Sequence, residues 1–272
     1  MLADLHLHTT ESDGTWTPEQ LVREARLKGL SAIAICDHDT TAGIGDAQRS
    51  APPDLQVVPG IELSASTDEG GEVHILGLWI DPDDEPLQNK LIEFRQERLA
   101  RVDTMLRRLA EVDVSITRAD IARFAKEGVL SRGHIASAML EKGIVRSKQE
   151  AFDRYLGQGQ PAYVSRQKLS LEGAVQLILE SGGVPVLAHP GLLGDLTILP
   201  VLIRAGLIGM EVVHHSHTKE QTKYFRQLAE DLRLLPSGGS DCHGPGGKDQ
   251  VYIGSYTIPW QWFEDLAASR WK

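Results

Sequence analysis

The stretch LADLHLHTTESDGT, residues 2–15, carries imidazoles at His6 and His8 and a carboxylate at Asp13. Alternate side chains of a strand share a face, so His6 and His8 converge while Leu5 and Leu7 point the other way. Two convergent imidazoles are half of a metal site, although a half-exposed strand can also carry such a pair for no chemical reason. The later segments supply more nitrogen and oxygen donors: His38 in CDHD, Glu62 in GIEL, His74 in EVHILG, His189 in LAHP, and Asp241 and His243 in SDCH. Each has an ordinary reading taken singly, His74 as a core histidine, Asp13 as a cap before Gly14, Glu62 as a strand-end charge. Buried together without a cation, these carboxylates and imidazoles would be costly.

Their positioning requires a fold that gathers distant segments. In TPEQLVREARLKG, Thr17 is placed as an N-cap, Pro18 as the first helical residue, Gln20 three residues after the cap and Gly29 as the stop. SAIAICDHD follows as a short apolar run ending in charge, the pattern of a strand buried on both faces. LQVVPGIEL, EVHILGLWI, GVPVLAHP, GLIGMEVVHH and RLLPSGGSDCH repeat it, with helical segments near 170–181, 195–205 and 218–231. Such alternation predicts parallel strands with crossover helices. Asp37, His38, Asp39, Glu62, His189, Glu211, Asp241 and His243 fall at or just past the C-terminal ends of these runs, which favours an α/β barrel of the (β/α) type with one site at its rim. From about Asp84 to Leu156 the sequence turns helical and charged. The expected organisation is a barrel over 1–82 and 160–272 with a helical insertion at 83–159 covering the rim.

Composition excludes several classes. The 272 residues, 41% hydrophobic and 24% charged, can bury a substantial core. A net charge of −10 argues against binding long duplex nucleic acid, which needs a broad excess of Lys and Arg. No apolar run approaches the roughly 18 residues of a membrane span, and the first strand leaves no room for a signal peptide. A cytoplasmic location is expected. Cys36 and Cys242 are the only cysteines, which fits a reducing compartment and a structural role for both. Trp79, Trp260, Trp262 and Trp271 read as packing residues.

DLHLHTTESDGTWTPEQLV, AICDHDT, GIELSA, VHILGL, GGVPVLAHPG, GMEVVHHSHTKEQ and GGSDCHG resemble, in order, the signature segments of the PHP family, named for polymerase and histidinol phosphatase. The resemblance spans almost the whole chain. It implies a distorted seven-stranded, TIM-like barrel with two or three divalent transition metal ions at its mouth. It further implies that His6, His8, Glu62 and Asp241 take the first ion, that Glu62 bridges to a second held by His74 and His189, and that Asp13, His38 and His243 take the third. Mixed imidazole and carboxylate sets suit Mn, Zn or Fe. The implied activity is phosphate ester hydrolysis of a small nucleotide, such as a nucleoside 3',5'-bisphosphate, or of short RNA 5' ends, by hydroxide that the metals generate.

A phosphate also needs cationic partners. Arg132 and His134 in LSRGHIASA, and Arg166 and Lys168 in YVSRQKLS, are the expected substrate contacts; in related sequences these segments border the substrate pocket. Ser165 stands where relatives often have proline. In HHSHT, His217 is expected to face the pocket as phosphate contact or leaving-group acid, with His214 and His215 supporting or structural and Glu211 behind the ligands. Three alternatives stay open: a histidinol-phosphate-type or other phosphomonoesterase, an amidohydrolase-type enzyme cleaving C–N bonds, and a non-catalytic accessory PHP domain. The amidohydrolase reading wants a bridging lysine where Glu62 stands.

Overall fold

The structure, a computed structural model, describes residues 1–67, 69–124, 131–165, 168–247 and 250–270. Its strands are β1 (Leu2–Leu7), β2 (Ala32–Ile35), β3 (Gln56–Ser66), β4 (Glu72–Leu78), β5 (Leu169–Ser170), β6 (Val184–Leu187), β7 (Gly209–Val213), β8 (Leu235–Gly238) and β9 (Ile258–Pro259). They form one sheet in the order β8-β7-β6-β4-β3-β2-β1-β9, with the two-residue β5 added on β3. The helices are α1 (Pro18–Leu27), α2 (Ile44–Ser50), α3 (Glu85–Ala110), α4 (Arg118–Ala122), α5 (Arg132–Glu141), α6 (Lys148–Ala151), α7 (Leu171–Glu180), α8 (Leu199–Ala205), α9 (Lys219–Asp231) and α10 (Trp260–Ala268). None of the described helices is long and apolar enough to cross a membrane.

Local sequence explains most of these elements. Thr17 caps α1 through a reciprocal pair, Gln20 N–H donating to Thr17 Oγ1 at 3.3 Å and Thr17 N–H to Gln20 Oε1 at 2.9 Å, which satisfies two otherwise orphaned donors. The apolar runs of β2 and β6 are buried at every residue, as strands covered on both faces must be. With crossover helices between parallel neighbours, the sheet curls into a distorted α/β barrel of seven main strands.

One strand departs from the expected parallel pattern. EVHILGL is β4, and it pairs antiparallel with both β3 and β6. The reason is chain length: the β3–β4 connection is a tight turn, with Thr67 N–H bonded to Gly71 O at 2.9 Å, and a parallel crossover needs a dozen residues or more. The reversal brings the N-terminal end of β4, and with it His74, to the rim where its neighbours end. Glu62 likewise lies inside β3 rather than at its end, because β3 leaves β2 at Pro59 and continues along β4 to Ser66.

The barrel closes between β1 and the segment after β8. Asp241 N–H donates to His6 O at 2.9 Å and His8 N–H to Cys242 O at 3.1 Å, while Gly239 N–H bonds Val213 O at 3.0 Å on the other side. The seam is tight enough to demand glycine: a Cβ on Gly239 would lie 2.5 Å from His6 N and 2.6 Å from its Cβ.

Two compact units divide the chain, Met1–Asn89 with Lys168–Lys272, and Lys90–Gln167. The second unit begins later than the expected 83 because α3 starts within the first unit, and it runs on to Gln167 where 159 was expected. The first unit's core gathers Leu5, Ala34, Cys36, Val58, Leu76, Leu78, Val186, Phe263 and Leu266, with Trp79, Trp260 and Trp262 packed into or against it; Trp271 lies outside the described residues. The second unit has its own core, built on Val102, Met105, Leu109, Ile121, Ile135, Met139 and Leu156.

Gly239→Ala is expected to destabilise the seam by about 1–3 kcal/mol, the usual cost of forcing extra volume into a packed site, lowering the melting midpoint by roughly 3–10 °C. Gly194→Ala, whose Cβ would meet nothing within 4 Å, should melt as wild type. Equal melting of both variants, read by circular dichroism, would show that the seam has room.

Candidate metal centre

β1 and the residue that follows it deliver a row of buried polar side chains on one face. Asp4, His6 and His8 are each 0% exposed, and the period of two that aligns them is the strand's own. Opposite them, β3 contributes Glu62, 1% exposed. Its Oε2 faces His38 Nδ1 at 3.0 Å, His8 Nε2 at 3.4 Å and His6 Nε2 at 3.5 Å, while Oε1 faces His74 Nδ1 at 2.8 Å and His189 Nε2 at 3.1 Å. One carboxylate is thus shared between two groups of imidazoles. The seam adds Asp241, whose Oδ1 lies 2.9 Å from His8 Nε2 and 3.4 Å from His6 Nε2. His243 Nε2 approaches Asp13 Oδ1 at 3.2 Å, and His38 Nε2 lies 4.0 Å from Asp13 Oδ2.

All nine donors expected from the sequence are therefore assembled in the first unit. Three groupings share residues with the expected sets, His6, His8 and Asp241; His38, Glu62 and His74; and His8, Asp13, His38 and His243, the candidate ligand atoms of each lying within 4.8 Å of one another, while His189 joins none of them. Among the described residues, His8 Nδ1, Glu62 Oε2, His74 Nδ1 and His189 Nδ1 are buried and lack a hydrogen-bond partner. Buried polar atoms are rarely left so, and imidazole nitrogens clustered with carboxylate oxygens are what a borderline divalent cation accepts. The residues fit a metal centre.

Carboxylates behind this layer hold it in shape. Glu211, fully buried, accepts from His6 Nδ1 at 3.1 Å and from the His189 backbone N–H at 2.6 Å. Asp37 accepts Thr9 N–H at 2.7 Å, Thr9 Oγ1 at 2.6 Å and Ser12 Oγ at 2.5 Å, anchoring the loop that carries Asp13. Asp4 accepts Ser240 N–H at 2.8 Å, Ser240 Oγ at 2.7 Å and Gly254 N–H at 2.9 Å, anchoring the segment that carries Asp241. Three rim residues take left-handed backbone, Asp39 (φ 52°), His189 (φ 29°) and Asp241 (φ 54°), a conformation costly for side-chain-bearing residues unless the surroundings impose it. Asp4 and Glu72 are not among the site residues expected from the sequence, although each lies two residues before a histidine on the same strand face.

The expected substrate contacts fare differently. His217 is committed to the backbone, its Nε2 accepting Gly191 N–H at 3.1 Å and its Nδ1 donating to Val212 O at 3.1 Å; neither nitrogen is open to a leaving group. Lys168 Nζ pairs with Glu72 Oε1 at 2.8 Å, and the same oxygen lies 3.5 Å from His74 Nε2, so Lys168 is tied through Glu72 to a rim residue. Arg132 and His134 occupy the first turn of α5, where Ser131 caps the helix and Arg132 lies over the Phe152 ring at 5.9 Å. Arg166 lies outside the described residues. Cys36 points into the core, its Sγ donating to Leu5 O at 3.4 Å, and Cys242 Sγ donates to Val251 O at 3.0 Å.

Charge is concentrated and mutually compensated. Burial disfavours a charged Glu62, yet His38, His74 and His6 hold its carboxyl well below the usual range. Asp241 is held down against burial by His6, His214, His215 and His8. Burial opposes a charged His74, but Glu62 and Glu72 raise it to about 10, and Glu211, Asp241 and Glu62 raise His6 in the same way. At His8 and His214 burial dominates and both are pushed down.

These shifts set a pH window for the metal-free protein. His74, His6 and His38 have folded values raised above the ordinary 6.5, so their contribution is complete below about pH 6.5 and is lost as the pH rises towards 10. Glu62 and Asp241 have depressed values, so theirs is present above the ordinary carboxylate range and lost on acidification. His8 and His214, pushed below 6.5, work the other way and favour the fold as the pH rises to about 6.5. Thermal melts in the presence of chelator should therefore peak near pH 6.5 and fall from there towards pH 10. A flat profile across the alkaline limb would mean that the folded chain keeps these imidazoles neutral.

Comparison with known proteins agrees with the geometry. The sequence model of the family described as PHP domain matches residues 4–158. The chain is 34% identical over 255 residues to a 5'-3' exoribonuclease of Haemophilus influenzae, covering 90% of each protein. It is equally identical over 255 residues to a 3',5'-nucleoside bisphosphate phosphatase of Chromobacterium violaceum, covering 90% of this chain and 89% of that one. Among solved structures, a Bifidobacterium adolescentis protein provisionally assigned as a metal-dependent phosphoesterase superposes with a TM-score of 0.84 at 33% identity, over 99% of this chain and 96% of the other. A family match over more than half of the residues, joined to relatives a third identical along nine tenths of the sequence, makes this chain a member of the PHP domain family.

Proposed function

We propose that this PHP family member, a metal-dependent hydrolase, hydrolyses a phosphate monoester of a small nucleotide, a nucleoside 3',5'-bisphosphate, or trims RNA from its 5' end. The observation that carries the reading is Glu62, a buried carboxylate whose two oxygens face two different sets of imidazoles. In this reading His6, His8, Glu62 and Asp241 would hold one cation, Glu62, His74 and His189 a second, and Asp13, His38 and His243 a third, with Mn, Zn or Fe as the candidates. Bound divalent cations supply hydroxide from water near neutral pH and screen the charge of a phosphoryl group.

The chain's own residues prepare that chemistry. Glu211 holds the Nδ1 proton of His6, so that Nε2 is presented to Glu62 and Asp241. Glu72, itself held by Lys168, does the same for His74 from the Nε2 side. A chain of net charge −10 that presents Glu62, Asp13 and Asp241 at one rim would repel a phosphate dianion by itself. Cations at that rim reverse the local sign, which is why the acidic cluster supports phosphate ester chemistry. The two curated relatives bear names from the two proposed substrate classes, and this supports the nucleotide reading without choosing between them.

The test is a substrate panel on protein reconstituted with each metal. Adenosine 3',5'-bisphosphate or a 5'-phosphorylated oligoribonucleotide should be turned over with kcat/KM at least about 10-fold above AMP and histidinol phosphate. Hydrolysis of an N-acyl amino acid with no phosphate or nucleotide release would overturn the reading in favour of C–N cleavage. In parallel, elemental analysis should find up to about three transition metal ions in wild type and no more than about one in Glu62→Gln, because one carboxylate serves two positions. Wild-type metal content in that variant would reject the bridging role.

A further inference from the structure

All the histidines except His134 lie in the first unit, and their ring nitrogens sort by what the protein offers to each. A backbone carbonyl, or a carboxylate outside the proposed ligand set, only accepts, so a nitrogen bonded to it carries the proton and leaves the opposite nitrogen with a lone pair. His6 is in that state, with Nδ1 on Glu211 Oε1 at 3.1 Å, and so is His243, with Nδ1 on Asp241 O at 2.8 Å.

His214 is the reverse. Its Nδ1 accepts the Ser216 backbone N–H at 3.1 Å, with Ser216 Oγ at 2.8 Å. A backbone N–H can only donate, so Nδ1 holds the lone pair and Nε2 carries the hydrogen. That Nε2 is buried without a hydrogen-bond partner among the described residues and faces Asp241 Oδ2 at 3.4 Å from a side chain that is 0% exposed. His215 Nε2 approaches the same oxygen at 3.8 Å. The other oxygen, Oδ1, faces His8 and His6. The two oxygens of Asp241 are thus divided between two kinds of neighbour.

By proximity alone, His214 groups with His215 and Asp241, and with His6 and Glu211, as sets able to hold a cation. The tautomer argues otherwise. We propose that His214 is a positioning residue and not a metal ligand: its buried Nε2–H faces Asp241 Oδ2 at 3.4 Å and attracts that oxygen as a dipole, so that Oδ1 is the oxygen turned towards His6 and His8. Asp241 needs such a hold, because its backbone is in the left-handed region (φ 54°) and its carboxylate stands at the seam. Fixing the outer oxygen removes the second binding mode of the carboxylate, in which both oxygens would turn to one ion. The inference rests on the proposed role of Asp241 as a ligand.

Two variants and one spectrum test it. His214→Gln keeps a side-chain N–H near the position of Nε2, and His214→Phe keeps the ring volume without a donor. Zinc affinity, read by competition with a chromophoric chelator on samples shown by circular dichroism to be folded, should fall about 10- to 100-fold in His214→Phe and stay within about 3-fold of wild type in His214→Gln. Wild-type affinity in His214→Phe would overturn the positioning role. Equal weakening of both variants, with one zinc equivalent lost from each, would make His214 a ligand. Independently, long-range ¹H–¹⁵N spectra of the imidazoles, with His214 assigned by its absence in His214→Gln, should show Nε2 protonated and Nδ1 bare in both zinc-loaded and metal-free protein; a bare Nε2 would overturn the proposal. If wild type bound no zinc, the functional reading would fail, while the metal-free spectrum would still decide the tautomer.

Discussion

A carboxylate taken out of water must be met by positive charge or by N–H donors, or it will not stay ionised. Glu62 is met by His6, His8, His38, His74 and His189 at 2.8–3.5 Å, and the rest of the first unit can be understood as the means of bringing those rings to one point. They come from β1, from the loop after β2, from β4 and from the loop after β6. Only a sheet that curls back on itself places four such segments around one side chain. The antiparallel β4 belongs to the same requirement: with β3 and β4 joined by a tight turn, Glu62 and His74 become diagonal neighbours on one sheet face.

The arrangement is held from behind as much as from within. Glu211, Glu72, Asp37 and Asp4 are carboxylates that each accept bonds from the residues or loops carrying the central donors. Their common effect is to decide which nitrogen of a ring bears its proton and where a loop stops. This division matters for chemistry, since a ring presents a lone pair to a cation only if its other nitrogen has somewhere to put the proton. His217, with both nitrogens committed to backbone, shows the outcome when no such nitrogen is left over.

The seam explains why glycine, backbone strain and buried acid cluster in a few residues. Gly239 passes close to the backbone of His6, Asp241 follows in left-handed conformation, and Asp4 binds the intervening Ser240. The contact that closes the barrel is thus made by the same residues that complete the centre. Burial pushes the Asp4 carboxyl up to about 6 even with three donors on it, a measure of how completely the seam excludes water.

Much of this was legible in the sequence, for physical reasons. Period-two alternation put His6 and His8 on one face, buried apolar runs marked the strands, the Thr17–Gln20 pair marked the start of α1, and donor types with no thiolate requirement pointed to a transition metal. The likeness to the PHP family's segments supplied the expectation that nine distant donors meet at one rim. Tertiary structure alone decided the rest. The direction of β4 depends on a turn whose closure is seen only in the pairing; the commitment of His217 and of Lys168 depends on partners far away in sequence, at Gly191 and at Glu72. The tautomer of His214 turns on one backbone N–H, that of Ser216. A sequence records which residues can donate, accept or bind, because those are properties of the side chains; it does not record which of their atoms are already taken, because that depends on the packing of distant segments.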